Sequence, residues 1–592
     1  MSDSFEVRAP MKGMVAGVSV QIGQKVAAGE PLVILEAMKM EHIVAAERGG
    51  IVKRVLVRAN AVVEADEPLL VLDAAHVDAA DETEHSASLD EIRPDLAEVS
   101  ERHAFGLDEN RPEAVAKRRK TGQRTARENV ADLVDEGTFV EYGALVIAAQ
   151  RQRRTKEDLI ARTPADGMIA GIGRVNGELF GNGGTQTVVT SYDYTVLAGT
   201  QGTMNHLKKD RMFEIAEQQG LPVVLFSEGG GGRPGDTDYA IIAGLDCRAF
   251  QYFAELSGKV PLVGVNSGRC FAGNAALLGC CDVVIATKAS NIGMGGPAMI
   301  EGGGLGVFAP EDVGPSESQY RNGVIDVLVE DDVEAVAVAK RYLGYFQGDL
   351  AQWEHADQRL LRSAVPENRL RVYDVRNVIE TLFDRESVLE LRAGFGAGMI
   401  TALARIEGRP LGVIANNPRH LGGAIDGEAS DKAADFMKLC STCGIPLVFL
   451  CDTPGFMVGP EAEETALVKR AARLFTTGAS LAVPFCTVVL RKGYGLGAQS
   501  MAGGSFKAPV FTISWPTGEF GGMGLEGAVR LGFRKELESI EDPKARDKMF
   551  QQMVELAYQR GKAINMAEHF EIDAVIDPAE TRRWILSAIT GW

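Results

Sequence analysis

The sequence predicts a small all-β domain followed by a large α/β body made of two copies of one unit. Three observations carry this: an echo of 37 positions within the first 74 residues, an abrupt change of composition after Leu72, and a second echo of about 230 positions in the remainder. In the first, Val18 to Ala37 returns as Val55 to Ala74, each half reading as strand, Gly or Asn turn, strand. A domain is expected over 1–74.

After Leu72 the stretch from Ala74 to Asp95 is rich in Ala, Asp, Glu and Ser and poor in large apolar side chains. It cannot bury enough surface to fold. A flexible acidic linker is expected over 75–95, with a root-mean-square span of roughly 25 Å.

From 96 onward the chain is Gly-rich, with short β-branched strands such as Leu221 to Phe226 alternating with helical stretches. Gly167-Met168-Ile169 returns 231 positions later as Gly398-Met399-Ile400. Leu221-Pro222-Val223-Val224 returns 224 positions later as Ile445-Pro446-Leu447-Val448, each after a helix carrying Lys208 or Lys432. Val260-Pro261 and the turn from Gly268 to Ala275 are matched by Val483-Pro484 and Arg491 to Ala498. Three blocks in the same order indicate tandem duplication, with domains at 96–348 and 349–592.

At 592 residues the chain exceeds one core. Its net charge of −19 argues against a general nucleic-acid or membrane-surface partner. No apolar run is long enough to span a bilayer, no cationic leader precedes an apolar segment, and a cytoplasmic protein is expected. The eight cysteines do not form a disulfide framework. Cys440 and Cys443 form a CxxC pair, but no second pair lies at zinc-ribbon spacing, so core packing is favoured and no metal is expected.

Two glycine turns stand where a backbone must approach a ligand: Gly229 to Arg233, and Leu421 to Asp426. Small residues leading into helix N-termini leave N–H groups aimed outward, as binding of an oxyanion requires. A phosphate cradle is the rival, but GxxxxGK[ST] is absent.

The run Glu36-Ala37-Met38-Lys39-Met40, between the two halves of the first echo, resembles the acceptor site of biotin carboxyl carrier domains. The domain is then a flattened β-sandwich, or barrel, of biotinyl/lipoyl type, with Lys39 biotinylated between Met38 and Met40. Asn416-Asn417-Pro418, Gly423 to Asp426, Asp452-Thr453-Pro454-Gly455-Phe456 and Arg491 to Gly495 resemble the carboxyltransferase subunit of biotin-dependent acyl-CoA carboxylases, as does Thr125-Ala126-Arg127-Glu128. That resemblance implies tandem crotonase-like domains. It also implies two backbone oxyanion holes: Gly230 and Gly231 for the thioester enolate, Gly423 and Ala424 for the ureido oxygen of biotin. The first loop departs from the family's Ser-Gly-Gly-Ala-Arg by reading Glu228-Gly229-Gly230-Gly231-Gly232-Arg233, which leaves its register open by one residue.

His420 and Asp426 are the nearest side chains for proton transfer, with positioning or substrate binding as the alternative. Arg124 and Arg127 are candidates for coenzyme A phosphates, with a solvated helix face as the alternative. The resemblance further implies an acyl-CoA substrate (acetyl, propionyl or longer), a separate biotin carboxylase, a biotin protein ligase and a homo-hexamer. A membrane-coupled decarboxylase and a non-catalytic biotinylated scaffold are the competing readings.

Overall fold

The computed structural model describes residues 3–77, 90, 92–181, 183–239 and 244–590. They form two units, Met1–Glu98 and Val99–Trp592. Most of the expected linker lies outside the described residues.

The described residues of the first unit form eight strands: β1 Ser4–Arg8, β2 Gly13–Val18, β3 Lys25–Val26, β4 Pro31–Ala37, β5 Met40–Ala45, β6 Gly50–Val55, β7 Val62–Val63 and β8 Pro68–Ala74. They pair into two four-stranded sheets ordered β1-β8-β6-β3 and β5-β4-β2-β7. The echo explains this topology, because β2, β3 and β4 each recur 37 positions on as β6, β7 and β8, and each sheet is the other's counterpart under that shift. The core repeats in the same way. Val15, Val26, Leu32 and Leu35 meet Val52, Val63, Leu69 and Leu72, all at most 1% exposed. Each such side chain contributes about 1.5–3 kcal/mol by burial, so any slip in the register would turn these residues outward.

The second unit carries two large sheets. In the first half are β9 Val140–Glu141, β10 Met168–Arg174, β11 Gln186–Tyr192, β12 Val223–Phe226, β13 Leu262–Asn266, β14 Arg269–Phe271, β15 Val283–Thr287, β16 Asn291–Gly293 and β17 Val327–Val329. In the second are β18 Leu389–Leu391, β19 Met399–Ile406, β20 Arg409–Asn416, β21 Leu447–Thr453, β22 Phe485–Tyr494, β23 Thr512–Ser514, β24 Glu519–Gly521 and β25 Ala574–Val575.

The main sheets run β17-β15-β13-β12-β11-β10-β9 and β18-β19-β20-β21-β22-β23-β25. Read from β9 and from β18 they are the same sheet. Two antiparallel pairings are followed by four parallel ones in each. The small parallel pairs β14–β16 and β22–β24 also correspond. β13 and β15 are buried at every residue, as strands covered on both faces must be.

Equivalent helices, Thr203–Gln219 and Gly427–Thr442, follow β11 and β20. One apolar cluster, running from Val130 to Ile572, joins the halves. Cys440 is fully buried in that cluster, in line with core packing of the Cys440–Cys443 pair. Among the described residues no three His, Cys, Asp or Glu side chains gather as a metal ligand set.

Candidate functional site

Ala37 pairs with Met40 across β4 and β5, which leaves Met38 and Lys39 as a two-residue turn. Their φ angles, +52° and +63°, are those of the hairpin turn that normally takes Asn-Gly. Holding two ordinary side chains there costs about 1–2 kcal/mol each. Met38 is 98% exposed and Met40 65% exposed, so neither contributes to the core. Strain and exposed apolar surface at one lysine mark a site that something else must read.

In the second unit the two halves match residue for residue around their loops, with a shift of 224. The N–H groups of Gly199 and Thr200 donate to Val196 O (3.0 Å) and Leu197 O (3.2 Å). Those of Gly423 and Ala424 donate to His420 O (2.9 Å) and Leu421 O (3.2 Å). Leu197, Ala198 and Gly199 all have positive φ, and so do Leu421, Gly422 and Gly423. The next residue pins each turn to a glycine: Gln201 N–H to Gly231 O at 2.7 Å, and Ile425 N–H to Gly455 O at 3.0 Å. A turn strained in the same way in both halves points to function rather than accident.

Under this shift the two expected donor pairs occupy different places in their halves. Gly423 and Ala424 correspond to Gly199 and Thr200, whereas Gly230 and Gly231 correspond to Pro454 and Gly455. All four N–H groups expected to face outward also have internal acceptors. Gly230 donates to Ala198 O (3.1 Å) and Gly231 to Asn274 Oδ1 (3.2 Å), while Gly423 and Ala424 close their own turn.

Sequence reasoning missed the third component of each half, the start of a short helix: Gly273–Leu278 after Ala272, and Gly495–Ser500 after Tyr494. Neither helix start has a side-chain cap, and the first N–H groups of a helix have no acceptor within it. Each helix start abuts the glycine loop of its own half. A Cβ at Gly231 would lie 2.8 Å from the Ala272 Cβ, and one at Gly497 would lie 2.6 Å from the Gly455 Cα. The repeat of Gly268–Ala275 in Arg491–Ala498 was visible in the sequence, but it read as a marker of duplication rather than as a row of donors.

Asn274, fully buried, braces the first half by donating from Nδ2 to Gly199 O and Ser227 O, both at 3.3 Å. Buried carboxylates sit at corresponding places beneath both loops. Glu228 takes Arg118 at 2.8 Å. Asp452, with no exposed surface, takes Tyr373 Oη at 2.8 Å, Arg491 at 3.1 Å and Lys492 Nζ at 3.4 Å. Burial raises the Glu228 carboxyl, and the Arg118 guanidinium partly offsets this.

The remaining expected residues have structural partners. Asp426 caps the helix Gly427–Thr442, accepting the Ala429 N–H at 2.8 Å, and meets His420 Nε2 at 3.3 Å. Arg124 is paired with Asp132 at 2.6 Å and Arg127 with Glu141 at 3.0 Å, so each guanidinium already holds a carboxylate. Thr125 and Glu128 form a capping box at the start of Ala126–Leu133, which accounts for that motif locally.

The carboxyl transferase domain family matches residues 117–590. The chain belongs to that family. The biotin-requiring enzyme domain matches residues 5–72, so covalently bound biotin on a lysine is part of this carboxyltransferase. The methylmalonyl-CoA carboxyltransferase 12S subunit of Propionibacterium freudenreichii subsp. shermanii is 34% identical over 80% of this chain and 90% of that one. The biotin-dependent long chain acyl-coenzyme A carboxylase beta4 subunit of Mycobacterium tuberculosis is 33% identical over 82% and 92%.

Among solved structures, a single-chain, multi-domain long-chain acyl-CoA carboxylase matches 99% of this chain at 56% identity with a TM-score of 0.81. The present chain spans 56% of that enzyme's length. The transcarboxylase 12S hexamer matches 84% of this chain and 95% of its own at 30% identity, TM-score 0.72. The duplicated body is thus crotonase-like, behind a biotinyl domain. Among the described residues no helix is long and apolar enough to cross a membrane.

Proposed function

We propose that this chain is the carrier and carboxyltransferase of an acyl-CoA carboxylase, moving a carboxyl group between biotin on Lys39 and the α carbon of a long-chain acyl-CoA. The observation that carries this is the matched pair of sites, each a strained turn, a glycine loop and an uncapped helix start, in a chain that also presents Lys39 on a strained, exposed hairpin. The hairpin fits the cofactor: the Lys39 amine is accessible for an amide, with Met38 and Met40 as its flanking contacts. Biotin supplies a carboxyl group carried on its ureido nitrogen.

The N–H groups at the starts of Gly273–Leu278 and Gly495–Ser500 stabilise charge on the two oxygens of the reaction, the thioester oxygen and the ureido oxygen of biotin, one at each helix start. Losing one such donor costs about 3–4 kcal/mol of barrier lowering. Gly230, Gly231, Gly423 and Ala424 shape the loops beside these donors. No side-chain base is needed, and His420 with Asp426 orders the turn. Long-chain acyl-CoA is preferred as substrate because the 56%-identical structure is of a long-chain enzyme.

A separate biotin carboxylase and a biotin protein ligase complete the system, in the cytoplasm. A ring of six follows the 12S relative, whose structure is of a hexamer. No observation favours the membrane-coupled decarboxylase or the scaffold. Lys39→Arg tests the reading, since it keeps charge but cannot be acylated. The variant should lose both the biotin mass increment and the ability to remove the carboxyl group from malonyl-CoA. Retention of the increment rules out Lys39.

A further inference from the structure

Beside Gly493 and Gly495, where the helix Gly495–Ser500 begins, a cavity of about 880 Å³ runs outward between two helices, Leu525–Gly532 and Pro543–Arg560. We propose that this cavity holds the alkyl chain of the acyl-CoA and sets the chain length the enzyme accepts. The proposal rests on the acyl-CoA reading above and deepens it by assigning the chain a place.

The cavity is built rather than left over. Leu525, Val529 and Phe533 recur every four residues on one wall, and Met553, Leu556 and Ala557 lie at helical spacing on the other. Two amphipathic faces that would ordinarily close on each other are instead held apart. Away from the cavity the helices are tied by Tyr558 Oη donating to Glu526 Oε1 at 2.7 Å and by Arg530 over the Phe550 ring at 5.0 Å. Phe520 closes the inner end next to Gly521 and Gly522, and it is 4% exposed. A space this large, lined more by apolar than by polar groups, forfeits packing along its walls, so the structure tolerates it for an occupant. Its volume falls within the range of small-molecule sites.

The occupant follows from shape and chemistry. The inner end adjoins a helix start assigned to the reaction, and the two helices line the walls mainly with apolar side chains, with Lys507, Arg560 and Glu571 as the charged residues of the lining. A flexible hydrocarbon attached to the reacting thioester satisfies both. Each methylene it buries should strengthen binding about fourfold.

Two measurements on the biotinylated full chain test this. Loss of the carboxyl group is compared for 2-carboxypalmitoyl-CoA and malonyl-CoA, below the concentration at which acyl-CoA forms micelles. Leu556→Trp places a bulky ring in the channel at a residue that is 51% exposed and so outside the packed core. The ratio of kcat/KM, long over short, should fall at least tenfold. A parallel fall for both substrates overturns the proposal, because it would mean that the cavity serves biotin or a second copy of the chain. In the unsubstituted protein, palmitoyl-CoA bearing a terminal diazirine should crosslink within 525–533 and 553–557. Crosslinks confined to other segments also overturn it. If the chain processes no acyl-CoA at all, the carboxyltransferase reading fails; if it processes malonyl-CoA without regard to chain length, only the cavity assignment fails.

Discussion

At Asp452 a fully buried carboxylate holds two cations and a phenol: Arg491, Lys492 and Tyr373. The same aspartate's N–H is held by Asn416 Oδ1 at 3.0 Å, and its carbonyl leaves no room for a side chain on Gly423. One residue thus fixes β21 against β22 and against the strained turn. Asp452→Asn keeps the shape and removes the charge, leaving the buried Arg491 and the partly exposed Lys492 without a carboxylate. Breaking a buried pair in this way costs about 3–5 kcal/mol, and denaturant titration should show the loss.

Little of this was legible in the sequence, where Asp452 was only one letter of a motif. Lys39 could be singled out as the proposed carrier lysine because that reading depends on local features, a turn and two methionines. Asp426, Arg124 and Arg127 could not be weighed as ligand contacts from the sequence, because nothing in it reports that each has a charged or backbone partner at about 3 Å.

Elements show the same division. Strands that bury repeated positions could be read from the echoes, since Val15 and Val52, or Leu32 and Leu69, must share an environment if the fold is symmetric. The loops could not be aligned so easily. Gly230 is matched by Pro454, and the runs of glycine drew attention to loops whose N–H groups are already bonded. Which donors are free is decided by hydrogen bonds between segments far apart in sequence, as between Gln201 and Gly231 or Ile425 and Gly455.

The contact of helix start with loop gives a direct test. Gly497→Ala would set a methyl 2.6 Å from the Gly455 Cα and 3.2 Å from the Phe456 nitrogen, both backbone atoms that cannot step aside alone. Carboxyl transfer should fall by about a hundredfold or more, in line with the loss of one preorganised donor. Intact mass should show biotin on the first unit unchanged. Transfer at the unsubstituted rate would remove this helix start from the mechanism.

Over the whole molecule, duplication places corresponding lysines, Lys208 and Lys432, in both halves, buried and bonded to main-chain oxygens of Ala165 and Phe395. Burial lowers both to about 8, and the neighbouring Lys209, donating to Tyr192 Oη at 2.7 Å, to about 7. In the unfolded chain each titrates near 10.4. Between these values the unfolded state binds more protons than the folded one, so stability rises with pH from about 7.

Buried thiols act in the opposite direction. Burial raises Cys270 and Cys443 to about 12, and lifts Cys281, Cys440, Cys451 and Cys486 as well. Once the unfolded thiols ionise, near pH 8.5, the unfolded state holds fewer protons at these six positions, and stability declines. Urea midpoints should therefore climb from pH 7 to about 8.5 and fall beyond 9, where six thiols outnumber three lysines. In Lys209→Met the rise between pH 7 and 8.5 should be shallower, because one of the three amines no longer titrates. A midpoint that falls steadily from pH 7 upward would show that these lysines do not stay neutral in the folded core.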